Sequence, residues 1–325
     1  MSVVTVERTE TLSHHQRFNL LQRILHGVLM GTFLGLAATG MPLRFNQAGW
    51  SVEFAAAVGG FDAILFLHKT FAVLMTLAFA VHLGYVVWLA FVKRTKGVVT
   101  GETSMVPQLR DVREMVAHFK WFLGRGERPG FGRYTYWEKF DYLAVFWGMF
   151  AIGFTGYVMW FSETAARLLP GWALNVSLLI HSEEALLAVW YIFAIHFFNA
   201  HLRPGKFPMD LVIFTGRESL REMAIDRPSE YSRVLETGDL EEVAKPEPPR
   251  WLKNFGRLVG TTAVAIGFAL FALTVYAFAT ETEETVAPDD SGSETMLADE
   301  VDLIGAGATS GTTAVVSDFQ TSVDR

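Results

Sequence analysis

Five apolar runs dominate this sequence, and each is long enough to cross a lipid bilayer. A membrane-spanning helix needs about 20 largely apolar residues, and a soluble domain seldom contains even one such run. The first run follows a polar stretch and ends without a small-residue cleavage site, so we expect it to be retained rather than removed as a signal peptide. We therefore predict an all-α integral membrane bundle with five spans, at residues 20–42, 61–92, 140–161, 172–202 and 258–279.

Lysine and arginine are distributed unevenly between the two ends of these runs. The loops that follow the second and fourth runs carry nine and ten basic residues, whereas the opposite side has only Arg44, Arg167 and Arg325. The positive-inside rule then predicts a bacterial inner-membrane protein with a cytoplasmic N-terminus and a periplasmic C-terminus. The tail at 280–325 holds eleven acidic residues and one arginine. It lacks the apolar side chains needed for a core, and we expect it to be disordered.

Six histidines lie inside these runs or at their edges. Four of them form two long-spaced pairs, His68 with His82 and His181 with His196. Their spacings correspond to about 21 to 23 Å along a helix, with rotations of about 40° and 60°, so both members of a pair face the same neighbouring helix. Two such helices facing each other would supply two bis-histidine haem sites, stacked across one bilayer.

The sequence contains no cysteine. This excludes covalent c-type haem, thiolate iron–sulfur clusters and disulfides within the chain. One intramembrane histidine is readily explained by packing, but two matched pairs favour a cofactor, here haem b. We find no phosphate-binding loop, nucleophile elbow or zinc helix, and we assign no catalytic residue and no nucleic-acid partner. Electron transfer is the remaining chemistry.

The depth of each histidine suggests which ones share a haem. His68 and His181 lie near the outer starts of the second and fourth runs and are predicted to hold an outer haem. His201 lies five residues beyond His196, rotated by about 140°, and we interpret it as a surface residue at the inner rim, or as a contact to quinone or a haem propionate, rather than as a ligand. Three histidines compete for the two inner axial positions: His26, His82 and His196.

Several segments carry a recognisable pattern between Arg17 and Val234. They are QRILHGVLMGTFLGLAATG, the LHK that opens the second run, RYTYWEKFDYLAVFWGMFAIGFTGYVMW, and IHFFNAHLRPGKFPMDLVIFTGR leading into RPSEYSRV. This part of the chain resembles the cytochrome b (gamma) subunit of respiratory formate dehydrogenases, and the related b-type subunits of hydrogenases and thiosulfate reductases.

The resemblance implies two haems b with histidine axial ligands to iron. By this resemblance, His26 pairs with His196 at the inner haem, and His68 pairs with His181 at the outer haem. His82 is then an extra histidine. A cytochrome b561-like arrangement would instead pair His82 with His196, and a third haem that uses all six histidines remains a further alternative.

The resemblance also implies a role in a respiratory complex. Members of that family pass electrons between a partner subunit and a quinone bound near the inner haem, so we expect an iron–sulfur or multihaem partner that carries the catalytic chemistry. The matching residues for quinone or quinol are Tyr134, Thr135, Glu138 and Lys139. An interfacial belt of aromatic and charged side chains explains these residues equally well. The alternatives are a b561-like reductase without a dehydrogenase partner, and a haem-free membrane anchor or transporter.

These expectations divide the chain into five parts. They are a cytoplasmic N-terminus (1–19), a four-helix dihaem transmembrane domain (20–235), a proline-rich cytoplasmic linker (236–257), a fifth transmembrane helix (258–279) and the acidic tail (280–325).

Overall fold

A computed structural model describes residues 13–237 and 244–284, with side chains up to residue 280. Five helical segments in these ranges are long and apolar enough to cross a membrane, which confirms the predicted helical membrane bundle. We refer to them as spans one to five: Leu20–Arg44, Phe61–Val92, Tyr136–Trp160, Trp172–Leu202 and Arg250–Thr280.

Spans one and five each lie in a single helix, spans two and four are helices that end in π-helical turns, and span three is two helices joined by a π-helical turn. The helices are α1 (Leu20–Arg44), α2 (Gly49–Val58), α3 (Phe61–Val87), α4 (Leu109–Phe122), α5 (Tyr136–Gly148), α6 (Phe154–Trp160), α7 (Ser162–Leu168), α8 (Trp172–Tyr191), α9 (Val212–Thr215), α10 (Leu220–Asp226), α11 (Pro228–Glu236) and α12 (Arg250–Glu284). The π-helical turns are Trp88–Val92, Met149–Gly153, Ile192–His196 and Phe198–Leu202.

Two spans begin earlier than hydropathy predicts. Span three begins at Tyr136 rather than at 140, because Thr135 and Glu138 form a reciprocal capping box that fixes the first turn of the helix. Span five begins at Arg250 rather than at 258, directly after Pro249. Its first turns are helical but too polar to register as an apolar run, so the helix takes in the end of the predicted linker.

A small antiparallel sheet joins three distant parts of the chain at one end of the bundle. Its order is β2-β1-β3, and His15 in the central strand pairs with Glu218 and Ala244. Strands of two or three residues are too short to show a hydrophobic period, so the sequence did not predict them. We call this sheet, together with α4, α10 and α11, the polar cap; its strands are β1 (His14–Gln16), β2 (Arg217–Ser219) and β3 (Ala244–Lys245).

Buried ion pairs bind the polar cap to the start of span three. Arg17 lies 2.8 Å from Glu138 and 3.3 Å from Glu218. Arg227 contacts the same two carboxylates. Arg17, Glu218 and Arg227 are almost completely buried, so removal of one partner would leave an uncompensated charge inside the protein. The network ties the N-terminal segment and the loop after span four to the transmembrane body.

The contacts separate the chain into two units, Met1–Val275 and Tyr276–Arg325. The described part of the second unit is the end of α12, which runs to Glu284. Most of the predicted tail, at 285–325, lies outside the described residues, as do 1–12 and the linker residues 238–243.

Candidate functional site

His68 on span two and His181 on span four face each other across the bundle. Their ring centroids are 6.2 Å apart, with an angle of 72° between the ring planes. A metal ion bound by one nitrogen of each ring, at about 2 Å, would place the two ring centres roughly 6 Å apart. The two imidazoles therefore stand at the separation that a shared iron requires.

Hydrogen bonds orient both of these rings through Nδ1. The Nδ1 of His68 lies 2.9 Å from Thr39 Oγ1. Because that hydroxyl donates its own hydrogen to the Gly35 carbonyl, it accepts one from His68. His181 Nδ1 donates to the Ile152 carbonyl at 2.9 Å. Each ring thus keeps its proton on Nδ1 and the lone pair on Nε2, as metal-ligating histidines commonly do.

Glycines make room for both rings. A Cβ atom at Gly40 would lie 3.2 Å from His68 Cε1, and one at Gly156 would lie 2.9 Å from His181 Cε1. The carbonyl that orients His181 belongs to the π-helical turn Met149–Gly153, a type of turn that often occurs at functional sites. The backbone is thus shaped around the two imidazoles, and the pair fits an axial ligand set for haem.

A second histidine site lies further along span four. His196 Nδ1 donates to Asp141 Oδ2 at 2.9 Å, and the Tyr191 hydroxyl donates to the other carboxylate oxygen. His196 again keeps Nε2 for a ligand, because a carboxylate holds its Nδ1 proton. Asp141 was not among the site residues predicted from the sequence. A carboxylate inside an apolar span is the feature that could have drawn attention to it.

His26 and His82, the two candidate partners of His196, lie in different surroundings. His26 lies near both His196 and His201. The Nε2 of His82 lies 3.0 Å from the Tyr142 hydroxyl. The environment of His26 therefore matches an axial position opposite His196 better than that of His82.

His201 differs from these histidines in the direction of its hydrogen bond. Its Nδ1 accepts the backbone N–H of Asp210 at 3.3 Å, so the ring proton lies on Nε2. A ring in this state offers Nε2 as a hydrogen-bond donor rather than as a metal ligand. This agrees with the interpretation of His201 as a rim contact.

The four residues predicted to contact quinone lie together at the junction of the polar cap and span three. Thr135 and Glu138 are joined by the capping box, with the Thr135 N–H 2.9 Å from Glu138 Oε2. Lys139 is buried and donates to Asp111 at 2.7 Å. The buried ring of Tyr134 has two guanidinium groups within 5.7 Å. These contacts give all four residues a structural role, and their contact with quinone stays a prediction.

The chain also matches a known family. A model of prokaryotic cytochrome b561 matches residues 17–204, which is more than half of the chain. The chain belongs to the prokaryotic cytochrome b561 family. It is therefore a membrane b-type cytochrome that acts in electron transfer, with haem b as its cofactor. No curated protein matches the chain.

The matched segment of this cytochrome contains spans one to four and all six intramembrane histidines, and it ends before span five. Among the residues that the structure describes, no cluster of three or more His, Asp or Glu side chains could hold a bare metal ion. A cofactor that needs only two axial side chains per metal suits this arrangement. Family membership thus decides against the haem-free anchor or transporter.

Proposed function

We propose that this cytochrome holds two haems b and carries electrons across the membrane between a redox partner subunit and the quinone pool. The observation that carries the proposal is the facing pair His68 and His181, with ring centres 6.2 Å apart and both Nδ1 atoms engaged elsewhere. Bound haem b supplies one-electron redox chemistry that amino-acid side chains lack.

The proposed ligand sets are His68 with His181 and His26 with His196. Spans two and four supply three of these side chains and span one supplies the fourth. Along span four, His181 and His196 are about 22 Å apart, which separates the two sites across most of a bilayer core about 30 Å thick. Two sites at that separation suit transfer across the membrane better than transfer along one face.

The two sites differ in the groups that orient their histidines. A hydroxyl and a backbone carbonyl, both neutral, accept from His68 and His181. A carboxylate, Asp141, accepts from His196. Negative charge behind an axial imidazole increases its basicity and stabilises ferric iron. We infer that the His196 site has the lower midpoint potential.

Quinone chemistry is part of the proposal at the His196 end of the bundle. His201 supports it, because its Nε2–H is a donor suited to a quinone carbonyl and its span ends one residue later. The resemblance to dehydrogenase cytochrome subunits supports an iron–sulfur or multihaem partner. That partner would carry the substrate chemistry, since no catalytic residue is assigned in this chain.

Histidine variants test the ligand assignment. We would replace His26 and, in a matched variant, His82 with Asn, purify both proteins in detergent and measure haem b per polypeptide. His26→Asn should retain one haem and His82→Asn should retain two. Loss of a haem from His82→Asn alone would instead support the b561-like pairing of His82 with His196.

The quinone assignment needs a separate assay. The purified protein, with its haems oxidised under anaerobic conditions, is mixed with a soluble quinol analogue, and haem reduction is followed by absorbance. We expect reduction, slowed in His201→Phe without loss of haem. Absence of reduction by benzoquinol and naphthoquinol analogues, in protein that dithionite reduces fully, would contradict a quinone-linked role.

A partner-free transmembrane reductase is the second candidate function, because the description of the matched family, prokaryotic cytochrome b561, names no partner subunit. Purification from native membranes in mild detergent distinguishes the two. A co-purifying subunit with iron–sulfur or covalent haem signals would support the dehydrogenase-type complex. Isolation of this chain alone, still able to carry electrons across a liposome membrane, would support the partner-free reductase.

A further inference from the structure

Helix α4 (Leu109–Phe122) has its polar face turned towards the protein. Asp111 and His118 are buried, and Glu114 is mostly buried and paired with Arg110. Asp111 binds Lys139 at 2.7 Å, and the His118 ring stacks on Trp137 with 5.5 Å between ring centroids. An amphipathic helix on a water-soluble protein would normally point these side chains outwards.

The outward face of α4 is apolar. Five large side chains on this face are between 46% and 80% exposed, and they recur at the three- and four-residue spacing of one helix face. The side chains are Leu109, Val112, Val116, Phe119 and, just after the helix, Leu123.

Two basic residues border this apolar face. On a helical wheel, Arg113 and Lys120 lie within about 40° of Leu109, at one edge of the stripe. Both are exposed, and neither pairs with a carboxylate in the part of the chain that the structure describes. An apolar stripe edged by free cations is typical of a helix that lies in the interface of an anionic membrane.

The position of α4 relative to the spans points to the same surface. Three of its inward contacts, Tyr136, Trp137 and Lys139, belong to the first turn of span three. Because the apolar segment begins at this turn, we expect the span to leave the hydrocarbon and enter the headgroup region there. The helix is thus held at the depth at which a membrane-parallel helix would meet lipid.

We propose that α4 is an interfacial helix whose apolar face is inserted into the headgroup and acyl-chain boundary of an anionic leaflet. In this arrangement Arg113 and Lys120 contact lipid phosphates, and the pairing of Asp111 with Lys139 sets the depth of the helix. The helix therefore couples the polar cap to the membrane surface. The proposal needs only that the chain spans a membrane, and it is independent of haem count and of quinone.

The absence of cysteine allows a direct test with single spin labels on the full-length protein. We would introduce Val112→Cys, Val116→Cys or Phe119→Cys, each at an exposed position, and reconstitute the labelled proteins into liposomes with and without phosphatidylglycerol. Collision rates with oxygen, which concentrates in lipid, and with a nickel chelate, which stays in water, report the surroundings of each label. Leu77→Cys on span two provides the lipid control, and Glu127→Cys in the following loop provides the water control.

We expect all three α4 labels to follow the Leu77 control, with a high oxygen rate and a low nickel rate in liposomes containing phosphatidylglycerol. Reversing both charges, Arg113→Glu with Lys120→Glu, should lower the oxygen-to-nickel ratio at Val116→Cys while both controls stay unchanged. High nickel accessibility in liposomes would overturn the proposal and indicate a water-facing surface. Protection from both reagents would also overturn it, because it would indicate burial against another protein or a second copy.

Discussion

Gly156→Ala tests the geometry of the His68–His181 site with the smallest possible change. The added methyl group would lie 2.9 Å from His181 Cε1 and 3.1 Å from His181 Nδ1. Unstrained carbon–carbon contact begins at about 3.5 Å, so the ring must move away by about 0.6 Å. Ligand geometry is generally held to within about 0.5 Å. The hydrogen bond from His181 to Ile152 and the alignment of Nε2 cannot both survive that movement.

We expect the purified Gly156→Ala protein to bind haem at this site 10- to 100-fold more weakly, as when the support of a metal ligand is removed. The assay is haem b per polypeptide, with a redox titration to show which potential is lost. General unfolding should not cause the loss, because Gly→Ala inside a helix stabilises it by up to about 1 kcal/mol.

Gly153→Ala is the matched control on the same span. Its Cβ would meet nothing closer than Met149 Cε at 3.8 Å, which is ordinary contact. This variant should retain full haem content. If Gly156→Ala keeps two haems with unchanged spectra, the assignment of His181 as a ligand held against Gly156 is wrong.

Three further predictions concern the neighbouring charges. Asp111→Leu should destabilise the protein by about 3–5 kcal/mol, because Lys139 is left buried and unpaired. In thermal unfolding, the double variant with Lys139→Met should recover most of this lost stability. If the stability losses of the two single variants simply add, the pairing is wrong. Asp141→Asn should raise one midpoint potential by about 59 mV, which corresponds to a tenfold change in the equilibrium constant of a one-electron couple, and should leave the other potential unchanged. If neither potential changes, the carboxylate does not act through His196. Burial, with the nearby positive charge of Arg133, lowers the pKa of His15 to about 4. Between pH 6.5 and 4 only the unfolded chain binds this proton, so the protein becomes less stable as the pH is lowered. In detergent melts from pH 7 to 5, His15→Gln should therefore lose less stability than the wild type, and parallel curves would refute this.

The sequence allowed much of the transmembrane architecture to be predicted, because long apolar runs and histidine spacing are local properties of a helix. Spans one, two and four were predicted to within two residues at each end, and His68 and His181, predicted to share a haem, do face each other. The sequence did not predict that spans three and five begin at 136 and 250, because the residues of a capping box and of a polar first turn do not raise the local hydropathy.

The groups that orient the histidines could not be predicted in the same way. Thr39 and Ile152 act through tertiary contacts across 29 residues each, and Asp141 reaches His196 across 55. No local period reveals such pairs. For the same reason the ion pairs of Glu138 could not be predicted, since its two arginine partners come from distant parts of the chain.

The inverted orientation of α4 also depended on tertiary structure. Its amphipathic pattern is visible in the sequence, but the pattern alone predicts a polar face in water. Only the contacts to span three show that the polar face is turned inwards.

The most direct test of the central claim is the ratio of haem b to polypeptide. It is measured by the pyridine haemochrome assay on the purified full-length protein, expressed with adequate haem supply and shown to be folded. We predict two haems per chain, with two resolved midpoint potentials. One haem, or none, in folded protein would contradict the account of two histidine sites stacked across the membrane.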